Sequence, residues 1–159
     1  MPMKYTCTID LLVPREKVVM LFDDAANLKR WQSNLRSFER LDGLPGQVGA
    51  RSKLVYKNGK REMTMTETIT VRELPDRFAG TYEMPGAWYA VENRFVVVDA
   101  THTRWIADVE FRMDSLMMKL LYMVVPGMFR KQTDKMMKQF KEFAESQTDE
   151  GLERTIFEP

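Results

Sequence analysis

The hydrophobic positions of this chain alternate for most of its first 113 residues and then change period. Tyr5, Cys7, Ile9, Leu11 and Val13 alternate with Lys4, Thr6, Thr8 and Asp10, the period-two signature of a half-buried strand. Pro14 can open a helix without losing a useful donor, and Val18, Val19, Leu21 and Phe22 recur at helical spacing as far as Asp23-Asp24. The segment Ala25 to Trp31 reads as a second short helix or turn. A brief strand, Phe38 to Leu41, precedes the breaker cluster Asp42-Gly43-Leu44-Pro45-Gly46.

The clearest hairpin is centred on Lys57-Asn58-Gly59-Lys60, because Asn-Gly suits a two-residue turn. That turn predicts Leu54 opposite Met63, Ser52 opposite Met65 and Ala50 opposite Glu67. Met63, Met65, Ile69 and Val71 then share one face, and Glu62, Thr64, Thr66, Thr68, Thr70 and Arg72 the solvated one. Glu67 is the exception, the one acid among the inward positions of its strand. An inward carboxylate must be paired, hydrogen-bonded or protonated.

Two more hairpins come next, turning at Leu74-Pro75-Asp76 and at Pro85-Gly86, and a last one at Asp99-Ala100-Thr101-His102. Trp105, Ala107, Val109, Phe111 and Met113 alternate with Arg104, Asp108, Glu110 and Arg112. Register sets Phe95 against Trp105 and Asn93 against Ala107, so Asn93 joins Glu67 as an inward polar group. From 114 to 146 the period becomes helical, capped at Asp114 or Ser115. Its apolar stripe runs Met117, Leu120, Leu121, Val124, Met128, Met136, Phe140 and Phe143, and Pro126-Gly127 should kink or split it. Seven of the 13 methionines lie between 113 and 137, and their flexibility suits the lining of an adaptable pocket. Strands first and a long helix last describe an α+β domain over 1–147, with 148–159 as a mobile polar tail.

Composition narrows the function classes. The 159 residues are 44% hydrophobic and 30% charged, the chemistry of one ordinary globular domain. Lys+Arg 24 against Asp+Glu 23 leaves a net charge of +1, so no global field favours nucleic acid. Cys7 is the only cysteine, and the first residues lack the pattern of a signal peptide. Both fit a cytoplasmic setting. The apolar run Leu116 to Phe129, broken by Lys119 and Pro126-Gly127, is shorter than the roughly 20 residues a membrane span needs.

Four segments carry a resemblance: LLVPREKVVMLFDDAANLKRW (11–31), GLPGQVGARSKLVY (43–56), MTMTETITVRELPDRFAGTYE (63–83) and the closing helix. Over about residues 3 to 146 the chain resembles the START-like, Bet v 1-like superfamily, also called polyketide cyclase/dehydrase or SRPBCC. The resemblance implies a helix-grip fold. In that fold a seven-stranded antiparallel sheet wraps a long C-terminal helix, two short helices come after the first strand, and a cavity lies between sheet and helix. It does not imply one chemistry, since the superfamily includes lipid and quinone carriers, receptors and aromatase/cyclases.

His102, the only histidine, falls in a turn, where exposed residues predominate. No Cys-x-x-Cys or His-rich spacing suggests a metal, and Gly43, Gly46 and Gly49 lack the spacing of a phosphate-binding loop, so no cofactor is expected. Glu67 is the single candidate for acid–base work; a structural ion pair with Arg51 or Arg94 is its alternative. The expected pocket lining is Leu54, Tyr56, Met65, Glu67, Tyr82, Tyr89, Asn93, Trp105, Met117, Leu121 and Met128, with Glu67 and Asn93 orienting a largely apolar ligand. An aromatase/cyclase- or dehydratase-type enzyme is the second reading, with Tyr82 or Asn93 polarising a carbonyl. A third is a lipid or quinone carrier touching membranes through Leu116 to Phe129, against which stands a buried helix with solvated basic flanks.

Overall fold

The computed structural model describes residues 3–124 and 127–147. Seven strands form one antiparallel sheet: β1 (Met3–Leu11), β2 (Leu35–Asp42), β3 (Arg51–Asn58), β4 (Arg61–Glu73), β5 (Arg77–Met84), β6 (Ala87–Asp99) and β7 (His102–Met113). Their spatial order is β1-β7-β6-β5-β4-β3-β2, a meander from β2 to β7 with β1 returning beside the last strand. Between β1 and β2 stand α1 (Arg15–Asp23), a 3-10 turn (Ala25–Asn27) and α2 (Leu28–Trp31). After β7 come α3 (Leu116–Val124) and α4 (Met128–Ser146). This is the helix-grip arrangement.

The core forms where α4 crosses the sheet beside β1. Phe140 and Met137 of α4 are fully buried against Cys7, Leu11, Trp105 and Ala107, and Val18 and Leu21 of α1 close the same cluster. Phe140 meets Phe22, Trp31 and Trp105 edge-to-face with centroids 5.9, 5.1 and 5.3 Å away, geometry that aromatic quadrupoles favour. The Tyr5 hydroxyl reaches Thr133 of α4 at 2.9 Å. Because α4 is committed to the β1 side, the β2–β5 half of the concave face is left uncovered by it, and α1 and α2 face that half across a gap.

Register departs from the sequence expectation in two places. The β3–β4 turn is built on Gly59-Lys60 rather than Asn58-Gly59: Asn58 pairs with Arg61, Leu54 with Met65 and Ser52 with Glu67. Only Gly59 takes a positive φ, 63°, so the turn has glycine at its first central position, and the whole ladder moves by two residues without changing faces. In β4 an extra residue, Thr70, separates the Ile69–Gly80 pair from Val71–Ala79. The bulge reverses the facing of the residues after it. Val71 lies on the outer face with Ala79 and Ala90, and Arg72 turns inward to donate to Asp23 of α1 at 2.6 and 2.7 Å. Farther along, Phe95 does pair with Trp105 and Asn93 with Ala107.

The long closing helix is two helices. Pro126 is outside the described residues, as is the expected tail at 148–159; Gly127 takes φ 82° at the start of α4. In α3 no residue is buried: Met117 is 77% exposed, Leu120 53% and Leu121 41%. The expectation of a buried stripe through Met117 and Leu121 is therefore corrected. The chain leaves β7 with the Asp114 and Ser115 N–H groups bonded to the Gly86 carbonyl, which fastens the start of α3 to the β5–β6 turn rather than over the sheet. No helix among the described residues is long and apolar enough to cross a membrane.

Candidate functional site

A cavity of about 490 Å³ occupies the half of the sheet that α4 leaves uncovered. Its walls are Phe22, Leu28, Trp31 and Gln32 on the helical side, Leu54, Tyr56, Glu67, Ile69, Phe78, Tyr82, Tyr89, Val91 and Asn93 on the sheet, and Met136 from α4. Trp105, fully buried, stands behind them. At its mouth the 42–50 loop faces the 3-10 turn, with three acids, Asp23, Asp24 and Asp42, and three arginines, Arg40, Arg51 and Arg72. Arg51 is paired to Asp42 and Arg72 to Asp23, so the rim is largely self-neutralised.

Strand register assembles the polar centre. Ser52, Glu67, Tyr82, Tyr89 and Phe111 are successive cross-strand partners on β3 to β7 and so form one row on the concave face. Glu67, half-buried, lines the cavity from within this row. Burial pushes its carboxyl above the usual carboxylate range, and a hydrogen bond from Tyr82 draws it part of the way back. The partners proposed from sequence are engaged elsewhere: Arg94 holds Asp108 at 2.8 Å on the outer side, and Arg51 holds Asp42. Among the described residues Glu67 has no basic partner.

The hydroxyls around it stay protonated. Burial and the neighbouring Glu67 charge raise the Tyr82 phenol well above its ordinary value, burial and the nearby Tyr56 phenol do the same to Tyr89, and burial with Glu67 raises Tyr56. Tyr56 donates to Oε1 of buried Gln32 at 2.6 Å, and Tyr89 to the Met65 sulfur at 3.3 Å. Tyr82 and Tyr89 stack with centroids 4.7 Å apart and planes 12° from parallel. The stack continues through Phe111 and Phe129 to Tyr122 of α3. The result is a carboxyl and several phenol donors set in apolar walls.

Of the residues picked out in the sequence, Leu54, Tyr56, Glu67, Tyr82, Tyr89, Asn93 and Trp105 are brought together around the cavity. Met65 sits behind Tyr89, packed with Leu35 and Leu54. Met117 and Leu121 face outward on α3, and Met128, half-buried at the start of α4, is not on the wall; the methionine that reaches it is Met136. Asn93 has little amide left for a ligand, since both ends are bonded within the protein. His102 bonds Asp99 and Thr101 in its turn. Ser52, Gln32 and Arg72 were missed. The correct hairpin register would have revealed Ser52 opposite Glu67; Gln32 and Arg72 depend on loop packing and the bulge.

The family model for polyketide cyclase/dehydrase and lipid transport proteins matches residues 2–145. The chain belongs to that family. Solved structures with the same fold include the Zhui aromatase/cyclase from Streptomyces sp. R1128, 13% identical, with 91% of this chain and 94% of that one covered at a TM-score of 0.72. Norcoclaurine synthase from Thalictrum flavum, in complex with dopamine and hydroxybenzaldehyde, is 10% identical, with 94% and 90% covered and a TM-score of 0.71. Ginseng major latex-like protein 151 from Panax ginseng is 11% identical, with 90% and 97% covered and a TM-score of 0.71. No curated protein sequence matches the chain. At such identities the likeness is one of fold, a cavity-bearing helix-grip domain.

Proposed function

We propose that this family member binds a small, largely apolar molecule in the cavity beneath β2–β6, with one hydrogen-bond donor or cationic group of the ligand seated on Glu67. The observation that carries the reading is Glu67 itself, a cavity-lining carboxyl with no basic partner among the described residues. Tyr82 gives it one hydrogen bond, and the acceptor capacity left unmet in an apolar wall costs free energy that a ligand donor recovers. Lipids, quinones and polyketides bearing hydroxyl or amino groups fit the mixture of apolar wall and few polar groups. The test is native mass spectrometry of the purified chain, then solvent extraction and identification of what it carries. Glu67→Gln should weaken binding of the identified compound. An empty protein that also fails to bind apolar amines and phenols added to it would refute the reading.

The Glu67–Tyr82 pair also supports a second reading, a cyclase or dehydratase in which Glu67 exchanges a proton with the substrate while Tyr82 turns its one O–H from Glu67 to a developing oxyanion. The family description and the Zhui likeness make polyketide-like substrates the ones to try. Here Glu67→Gln lowers turnover by about 10²–10⁴ with substrate affinity nearly kept. A binding protein shows the change in affinity alone.

A further inference from the structure

The most apolar helix of the chain is the one the fold leaves in water. Leu116, Met117, Leu120, Leu121, Met123 and Val124 of α3 are all exposed, from 41% at Leu121 to 78% at Val124. At about 100° per residue these six span an arc of roughly 160°, with Lys119 beyond one edge and Tyr122 turned back to stack on Phe129. An exposed patch of this kind on one short helix marks an interaction surface.

The surroundings of the helix point to the occupant. The β3–β4 turn, the β5–β6 turn and the end of β7 lie at one end of the sheet, because Asn58 pairs with Arg61, Met84 with Ala87 and Ala87 with Met113. That end carries exposed Lys57, Lys60, Arg61 and Lys119, and exposed Arg130 and Lys131 begin α4 beside it; its exposed acids are Glu62, Glu83 and Asp114. A helix that pairs with another protein helix buries a narrow seam, whereas an arc this broad, with Lys119 at one edge and a basic end of the sheet beside it, matches a surface that covers one whole side and is itself anionic. Nine residues reach about 13 Å, so such a helix lies in the interface and does not cross it.

We propose that α3 is a membrane-docking helix: its Leu116–Val124 arc enters the interface of an anionic bilayer while Lys119 and the basic end of the sheet engage the headgroups. This goes beyond ligand binding and stands whether or not the cavity is filled.

The test is co-sedimentation of the full chain with phosphatidylcholine vesicles, with and without phosphatidylserine, at low and at high salt. Binding is expected to the phosphatidylserine vesicles, to fall as salt rises, to weaken about fivefold in Lys119→Ala, and to vanish in the double variant Leu120→Asp/Met123→Asp. Both positions of the double variant are exposed, so its circular dichroism should match the parent. No binding to anionic vesicles at low salt overturns the proposal, as does binding that survives the double substitution. Light scattering that finds a dimer dispersed by the double variant, with no vesicle binding, would overturn it in favour of a second copy covering α3.

Discussion

Asn93 Oδ1 accepts the indole N–H of Trp105 at 2.9 Å, and on its other side the Asn93 amide N–H donates to the Phe78 carbonyl at 3.3 Å. One amide thereby ties β5, β6 and β7 together beneath the cavity floor. Asn93→Ala removes the protein partner of a buried indole donor, which costs about 1–3 kcal/mol. Urea unfolding should show that loss, with affinity for an apolar cavity probe such as anilinonaphthalene sulfonate unchanged. Unaltered stability with lost probe binding would instead make Asn93 a ligand contact.

Glu67 gives the chain a pH dependence of definite sign. Its folded-state pKa is raised above 4.5 by burial, so from about pH 4.5 upward the folded chain holds a proton that the unfolded chain has lost. Stability falls as the pH rises through that window, until the folded-state group has ionised too. Glu67→Gln carries no such proton. Thermal melts at a series of pH values should show the variant's Tm gaining on the parent above about pH 4.5 and running parallel below it. A constant difference at every pH would contradict the raised pKa.

Arg72 and Asp23 join β4 to α1 across the cavity mouth through two hydrogen bonds of 2.6 and 2.7 Å. Both side chains are partly exposed, 25% and 33%, so Arg72→Met should cost no more than about 1 kcal/mol. Its larger effect should be kinetic. Stopped-flow release of the same fluorescent probe is expected to quicken in the variant, and high salt should produce part of that change in the parent. An unchanged release rate would mean the probe leaves by another route.

Cys7 is 3% exposed, and burial with the Asp134 carboxylate nearby pushes its thiol up to about 11. The reactive thiolate is therefore scarce at pH 8. Ellman's reagent should label it only as fast as the β1–α4 core opens, and in urea the labelling should rise with unfolding. Rapid labelling of the native chain would place Cys7 at a mobile edge.

The sheet was legible in the sequence because alternation and turn residues are local. The strands, most turns, the inward carboxylate at 67 and the Phe95–Trp105 register come from spacing alone. The failures come from effects that spacing cannot carry. Gly59 outcompeted Asn58 for the positive-φ position, which moved Ser52 opposite Glu67. The methionines of α3 looked like cavity lining, yet the attachment of Asp114 and Ser115 to Gly86 holds that helix outside the sheet. Helical periodicity reveals that a face is apolar and leaves open what will cover it.

The extra residue at Thr70 has an effect on the whole length of β4. Before it, odd-numbered residues look inward and bring a carboxyl and an isoleucine; after it, even-numbered ones do and bring a guanidinium. One strand thus speaks in two phases, acidic in the depths and basic at the lip. Were Thr70 matched by a residue of its own on β5, strict alternation would put Val71 at the entrance and Arg72 on the outer surface. The polar lip would become an oily one and α1 would lose its tether, with no side chain of β4 altered. Removing Thr70 has the opposite character, since Val71 would still sit opposite Ala79 and both phases would survive in a straighter strand.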